Sequence, residues 1–173
     1  MALRNIVKEG DPILTKKCRP VTEFNDRLHQ LLDDMRQTLL EADGVGLAAP
    51  QVGVLRRVVV VLDINRETEN VDEQIIELVN PEIIASSGEQ YGTEGCLSVP
   101  GIYDFVTRPE EVTVRAQDRF GKTFEVTGTG LTARCFCHEL DHLEGHLFKE
   151  LADKLLTAEE LDELMAREAE GEA

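Results

Sequence analysis

The stretch CFCHELDHLEGHLF at residues 135–148 limits the possible folds of this chain more than any other segment. Its side chains repeat at helical spacing, which predicts a helix over residues 131–147. The helix would carry two stripes, one of Phe136, Leu140, Leu143 and Leu147 and one of Leu131, Cys135, His138, His142 and His146. A helix with stripes on two sides is expected to be enclosed by other elements. We therefore predict a central helix around which the rest of the chain packs.

The two histidines of HELDH can share a metal ion. His138 and His142 are four residues apart, so a helix places them on one face, about 6 Å apart along its axis. Glu139 lies beside them and can reach a water on that metal. The alternative is a buried helix that carries two histidines and no metal.

A third protein ligand is needed for a metal site that keeps one position open, and three candidates exist. His146 comes two residues too soon for the metzincin pattern. Cys96 lies in EGCLS (94–98), a glycine-flanked segment suited to close approach. A downstream acid would suit a zinc peptidase, and those in range are Glu160, Asp162 and Glu163. A further alternative is a non-catalytic binding module that a metal ion stabilises. Such a structural site would be closed by four protein ligands and would need no adjacent glutamate.

A second motif, GVGLAAPQVG, occupies residues 44–53. It is predicted to be a loop whose small residues let backbones pack closely, and Gln51 offers a neutral amide donor within it. The segment lacks the spacing and the lysine of a P-loop, so we exclude a phosphate-binding role. A simple glycine-rich turn between a helix and a strand is the alternative.

Two further helices are predicted. Thr157 and Glu160 form a capping box that opens an acidic helix over residues 158–173. Residues 25–43 form an amphipathic helix stopped by Gly44, with an apolar face made of Leu28, Leu31, Leu32, Met35 and Leu39.

The strands are predicted between these helices. Residues 56–63 form a buried strand, and residues 75–84 form a second strand region that Pro81 interrupts. Residues 110–130 form a β-hairpin around Gly121. Strands and helices that do not alternate regularly indicate an α+β fold.

Length and composition suit one soluble domain. The chain has 173 residues and a net charge of −16, which argues against a general binder of nucleic acid or anionic membranes. The start, MALRNIVKEGDPIL, lacks the apolar region of a secretory signal, and VVVVL at 58–62 is too short to span a bilayer. The four cysteines do not suit a disulfide framework. We therefore expect a cytoplasmic, reducing setting in which Cys96 is available as a thiolate.

Three segments, GVGLAAPQ, EGCLS and HELDHLEG in this order, resemble the signature segments of peptide deformylases. The similarity extends from near the N-terminus to about Lys149. The resemblance implies small antiparallel sheets packed around a central metal-binding helix, with an N-terminal helix and a C-terminal helix. It also implies that residues 1–173 form a single catalytic domain, of which about 150–173 is an acidic helical extension.

The resemblance implies a reaction as well. An N-formylmethionyl nascent peptide would be hydrolysed to formate and a free amine, with Glu139 as the catalytic carboxylate. The Gln51 side-chain amide and the Leu97 backbone N–H would stabilise the oxyanion. The metal would be Fe(II), with zinc, nickel or cobalt able to occupy the same site. Its ligands would be Cys96, His138 and His142.

Substrate binding can be placed in the same way. By resemblance, an extended peptide would pair its backbone with Val45–Gly46 and with the strand near Gly95. Leu131 and Cys135 share a helix face with His138, and together with Val45 they are candidates for the pocket that takes the methionine side chain.

Arg134 departs from the family, whose members often carry an apolar residue one turn before the first histidine. We expect it to narrow or polarise the outer wall of the pocket. The alternative is that Arg134 turns outward and pairs with a surface acid.

The acidic C-terminal helix is a second departure. Some bacterial relatives use a helical extension to dock on the ribosome, but acids match RNA poorly. We therefore expect at most a weak ribosome contact, and neither DNA nor a membrane as a partner.

Overall fold

The structure, a computed structural model, describes residues 2–147 and 155–169. The helices are α1 (Asp26–Glu41), α2 (Val71–Gln74), α3 (Leu131–Leu143) and α4 (Ala158–Ala169). The strands are β1 (Gly46–Ala48), β2 (Val58–Leu62), β3 (Ile75–Ser87), β4 (Gln90–Cys96), β5 (Val99–Arg108), β6 (Glu111–Gln117), β7 (Thr123–Thr129) and β8 (Leu155–Thr157). Two short 3₁₀ helices occupy Pro12–Thr15 and Ala49–Val52.

Two antiparallel sheets confirm the predicted α+β class. The larger sheet has the strand order β1-β2-β3-β6-β7, and the smaller has the order β4-β5-β8. Helix α3 packs against strands of both sheets, and every residue of it except Leu131 and Asp141 is buried. The prediction of a central, enclosed helix is therefore confirmed.

The larger sheet has an apolar layer on each face. Val59 and Val61 pack in a cluster with residues of α3, while Val58 and Val60 pack in a cluster with residues of α1. All four valines are fully buried, because successive strand residues point to opposite faces and both faces are covered. This two-sided burial explains why VVVVL is a continuous apolar run.

Helix α1 follows its predicted pattern. The five predicted apolar residues are all buried, and the side chain of Asn25 accepts a hydrogen bond from the Leu28 N–H at 3.2 Å to cap the first turn. The helix ends before Gly44, but the left-handed residue there is Asp43, with φ +55°. A short polar side chain tolerates this conformation better than most residues with a Cβ.

Pro81 does not interrupt the second predicted strand. Strand β3 runs through it, with a register shift between Val79 and Glu82 opposite β6. Asn80 takes φ +51° at this bulge, and its side chain bonds the N–H and the carbonyl of Val21 at 2.7 and 2.9 Å. A bulge thus accommodates the proline. The hairpin of β6 and β7 around Gly121 is as predicted.

Helix α3 ends one turn earlier than predicted, at Leu143 instead of Leu147. Gly145, with φ +81°, donates to the His142 carbonyl, and His146 donates to the Asp141 carbonyl. These two bonds form a Schellman motif, which satisfies the last carbonyls of the helix. His146 therefore lies outside the helix and is exposed. Gly145 is the residue in the sequence that indicates this helix end.

Replacing Gly145 by alanine should destabilise the protein more than the same change at Gly53. Both glycines have positive φ, which costs about 1–2 kcal/mol for a residue with a Cβ. A Cβ at Gly145 would lie 2.6 Å from the Thr15 carbonyl oxygen, whereas a Cβ at Gly53 meets nothing within 4 Å. We expect an extra loss of about 1–3 kcal/mol in the free energy of unfolding for Gly145→Ala. Urea unfolding of both variants measures it, and equal losses would contradict the packing argument.

The prediction of a capped C-terminal helix is confirmed in part. Helix α4 begins after Thr157, whose hydroxyl accepts a hydrogen bond from the Glu160 N–H at 3.2 Å. The helix was predicted over residues 158–173, and its last four residues lie outside the described ones. Strand β8, which pairs with β5, was not predicted. Within the described residues, no helix has the length and apolar character needed to cross a bilayer.

Candidate metal centre

Three side chains from two distant segments meet beside helix α3. Cys96 ends strand β4, while His138 and His142 lie one turn apart on α3. Their candidate ligand atoms all lie within 4.8 Å of one another. Among residues 2–147 and 155–169, this is the one group of three such side chains close enough to hold a metal ion.

The other candidates for the third ligand do not belong to this group. His146 is exposed beyond the end of α3. The downstream acids are exposed on α4, and they are Glu160, Asp162 and Glu163. The structure therefore favours Cys96 over the zinc-peptidase arrangement.

The donor atoms fit a divalent metal. Cys96 Sγ lies 3.3 Å from His142 Nε2, and His138 turns its Nδ1 to Glu94 Oε1 at 2.8 Å, so its Nε2 is the candidate ligand atom. A carboxylate on the far nitrogen is the usual partner of a metal-binding histidine, because it fixes the ring and its tautomer. Cys96 is partly exposed and both histidines are buried. A thiolate and two imidazoles would hold a divalent metal with three ligands, the number that suits a catalytic site.

Glu139 is a buried carboxyl group next to this cluster. Its Oε1 lies 3.7 Å from His138 Nε2, and its Oε2 has no hydrogen-bond partner among the described residues. Burial raises the pKa of Glu139 to about 7. Gly46 lets strand β1 pass close by, since a Cβ there would lie 2.9 Å from Glu139 Cγ. The group can therefore take up or release a proton near neutrality.

Gln51 points its amide nitrogen at the same centre. Its Oε1 accepts a hydrogen bond from the Ala48 N–H at 2.9 Å, which fixes the orientation of the amide. Its Nε2 then lies 3.2 Å from Ser98 Oγ and 3.5 Å from Cys96 Sγ. Leu97 follows Cys96, and its carbonyl accepts from Lys8 Nζ at 3.1 Å. A donor amide is thus held beside the thiol.

Glu94 is a residue of the site for which the sequence suggested no role. It accepts hydrogen bonds from Arg108 Nε and Nη2 at 2.8 and 2.9 Å, from Arg134 Nη1 at 2.7 Å and from His138 Nδ1 at 2.8 Å. Burial would raise its pKa, but hydrogen bonds from Arg108 and His138 outweigh this and lower the pKa to about 2. Glu94 therefore stays ionised and holds the His138 ring.

Arg134 is turned inward, so the alternative that it turns outward to pair with a surface acid is wrong. Its side chain is 5% exposed and its acid partner is the buried Glu94. Arg108 pairs with the same carboxylate and also with Asp141, at 2.8 Å. The inward position follows from this acid, which can be shared by two guanidinium groups.

Removing the Glu94 carboxylate should lower the free energy of unfolding. In Glu94→Ala, the buried guanidinium groups of Arg108 and Arg134 lose their shared carboxylate. Breaking such a buried ion pair typically lowers the free energy of unfolding by about 3–5 kcal/mol. Glu125 is a matched control, because its pairing with Arg115 is about half exposed on both sides and such a pair is worth about 0–1 kcal/mol. Urea unfolding of Glu94→Ala and Glu125→Ala compares them. A loss under about 1 kcal/mol for Glu94→Ala would contradict this role.

A cavity of about 530 Å³ opens beside the cluster. Cys96, Leu97, His138 and Glu139 reach its wall, whereas Gln51 and His142 do not. All six residues predicted to bind substrate line it, namely Val45, Gly46, Gly95, Leu131, Arg134 and Cys135. The cavity is large enough for a side chain and part of a peptide backbone.

Comparisons with known proteins agree on one family. The family model for polypeptide deformylase matches residues 3–157. A peptide deformylase of Caldanaerobacter subterraneus subsp. tengcongensis is 51% identical over 162 residues, covering 94% of this chain and 97% of the relative. The crystal structure of a peptide deformylase from Legionella pneumophila has a TM-score of 0.80 and 45% identity, covering 97% of this chain and 98% of that one.

A solved structure with a bound peptide is also similar. The class I type b peptide deformylase from Acinetobacter baumannii with bound Met-Ala-Ser has a TM-score of 0.79 and 37% identity, covering 87% of this chain and 98% of that one. Sequence and fold therefore agree over nearly the whole length of the relatives. The chain belongs to the peptide deformylase family, whose members use a divalent metal to remove the N-terminal formyl group from nascent peptides.

Proposed function

We propose that this chain hydrolyses the formyl amide of N-formylmethionyl peptides at the centre formed by Cys96, His138 and His142. The observation that carries the proposal is the meeting of one thiol and two imidazoles beside the buried carboxyl of Glu139. The amide of Gln51 lies on the same centre. These are the groups needed for metal-assisted amide hydrolysis.

A divalent metal held by the three side chains would act as a Lewis acid and lower the pKa of a bound water toward neutrality. We propose Fe(II) as the physiological ion, because a thiolate is a soft ligand that ferrous ion accepts, with zinc, nickel or cobalt able to replace it. Sensitivity of Cys96 to oxidation would follow from the same ligation.

Glu139 would move the proton. It takes a proton from the water that attacks the formyl carbon, and it then gives this proton to the departing amide nitrogen. The C–N bond breaks, and formate and the free α-amine leave. A pKa of about 7 suits both transfers, since the carboxyl group is neither strongly acidic nor strongly basic at neutral pH.

Two donors would stabilise the oxyanion of the tetrahedral intermediate. These are the Gln51 Nε2 amide, which lies 3.5 Å from Cys96 Sγ, and the backbone N–H of Leu97, the residue after Cys96. Loss of one donor of this kind typically lowers the rate by about 10²–10³-fold.

The substrate backbone would lie between two sheet edges. Strand β1, with Gly46, is an edge strand of the larger sheet, strand β4, with Gly95, is an edge strand of the smaller one, and both border the cavity. An extended peptide can add to such edges through main-chain hydrogen bonds. The relative that holds Met-Ala-Ser supports a peptide as the ligand, because this tripeptide is the deformylated form of a short formylated substrate. The methionine side chain would enter beside Leu131 and Cys135.

We further propose that residues 1–173 act as one cytoplasmic catalytic domain on nascent chains. The exposed acids of α4 would repel ribosomal RNA, so any ribosome contact through this helix would be weak.

The test is a formate-release assay on enzyme purified without oxygen, with metal analysis of the same sample. Formyl-Met-Ala-Ser should yield equal amounts of formate and free amine, with both peptide bonds intact by mass spectrometry. Acetyl-Met-Ala-Ser is the matched control, because it has a blocked N-terminus without a formyl group. Cleavage of a peptide bond without formate would overturn the proposal in favour of a peptidase.

A further inference from the structure

Residues 7–9 connect the two segments that carry the proposed oxyanion donors. The Val7 N–H donates to the Gln51 carbonyl at 2.7 Å, and the Glu9 N–H donates to the Ser98 carbonyl at 2.7 Å. Gln51 lies in the second 3₁₀ helix, whereas Ser98 lies in the turn between β4 and β5. Two main-chain hydrogen bonds from one short segment therefore fix these two parts of the site relative to each other.

The turn between β4 and β5 has an uncommon geometry for its length. Cys96 pairs with Val99, so Leu97 and Ser98 alone make the turn. Two-residue hairpin turns usually have positive φ at one or both of these positions, because such turns match the twist of the strands. Neither Leu97 nor Ser98 has a positive φ. The turn is therefore expected to depend on contacts from outside the hairpin, and the Leu97 N–H should move when such a contact is lost.

Lys8 supplies a side-chain contact to this turn. Its ammonium group donates to the Leu97 carbonyl at 3.1 Å, and both residues line the cavity. A hydrogen bond from a charged donor is stronger than one between neutral groups, so it can hold the turn and with it the direction of the Leu97 N–H. Lys8 itself is exposed, and surface substitutions usually change stability little. An effect of Lys8 on the reaction can therefore be separated from an effect on folding.

We propose that Lys8 is a positioning residue for formyl hydrolysis, because its bond to the Leu97 carbonyl aims the Leu97 N–H at the oxyanion. The main-chain bonds of Val7 and Glu9 keep this N–H and the Gln51 amide directed at one point. An interaction that is made only in the transition state affects kcat and not KM. This inference rests on the proposed function, because it assigns the oxyanion to these two donors.

The test measures kcat and KM on formyl-Met-Ala-Ser for the parent, Lys8→Met and Lys8→Arg. Methionine keeps an unbranched side chain but has no N–H donor. In Lys8→Met, kcat should fall about tenfold, since a small misplacement of a catalytic group lowers the rate strongly, while KM, metal content and thermal stability keep the parent values. Lys8→Arg keeps a charged donor and should recover most of the rate. Lys16→Met is the matched control, because Lys16 is exposed in the same part of the chain and does not line the cavity; it should change neither constant.

Other results would overturn the inference. An unchanged kcat in Lys8→Met would mean that the main chain alone holds the turn. A higher KM that returns to the parent value with a C-terminally amidated peptide would mean that Lys8 binds the substrate carboxylate. A fall in rate that accompanies loss of metal or of thermal stability, or that Lys8→Arg does not recover, would indicate a structural role. A parent enzyme that releases no formate from formyl-Met-Ala-Ser would instead overturn the proposed function.

Discussion

Replacing Cys96 by alanine is expected to remove most of the bound metal and to lower formate release by about 10³-fold or more. The change takes away one of three proposed ligands and leaves His138 and His142 alone. Loss of a residue that only supports a ligand already costs about 10–100-fold in metal affinity or activity, so loss of a ligand itself should cost more. Metal analysis and kcat/KM on formyl-Met-Ala-Ser, both without oxygen, measure the effect.

Cys18→Ala is the matched control for this experiment. Cys18 is buried and lies outside the metal cluster, and burial raises its pKa to about 11. This variant should keep its metal and its rate. Full metal content in Cys96→Ala, together with metal loss on replacing Glu160, would contradict the proposed ligand set and favour the peptidase arrangement.

Replacing Glu139 by glutamine is expected to lower kcat by about 10²–10⁴-fold while the metal stays bound. Glutamine has nearly the same shape, but it cannot take a proton from the attacking water. The metal should remain because Glu139 is not one of the three proposed ligands. Metal analysis beside single-turnover kinetics separates these two effects.

The control for Glu139 is Glu144→Gln. Glu144 follows α3 and pairs with Arg57 at 2.7 Å, away from the metal cluster. Its replacement should leave kcat within about twofold, since Glu144 is partly exposed and is not part of the metal cluster. A Glu139→Gln enzyme with normal turnover, or one whose activity falls only in proportion to lost metal, would contradict a proton-transfer role.

Local periodicity explains what could be predicted from the sequence. The apolar face of α1 and the pairing of His138 with His142 follow from the helical repeat, which depends only on nearby residues. The hairpin around Gly121 follows from turn chemistry in the same way. The resemblance in three short motifs predicts that Cys96, Gln51 and Glu139 share one site.

The features of the site that the sequence did not predict depend on contacts between residues far apart in the chain. Glu94 stands in a strand with glycines at positions 92 and 95, where no alternation of polar and apolar residues indicates which side chain is buried. Arg134 turns inward only because β4 supplies both Glu94 and the space at Gly92. The end of α3 at Leu143 was open to prediction, because Gly145 is the usual residue after a helix terminus.

The most direct test of the account is an anomalous-difference map from a crystal of the metal-loaded enzyme. We expect one metal peak about 2.0–2.4 Å from Cys96 Sγ and from one ring nitrogen each of His138 and His142. A peak held by His146 or by the acids of α4, or no peak between the thiol and the two imidazoles, would contradict it.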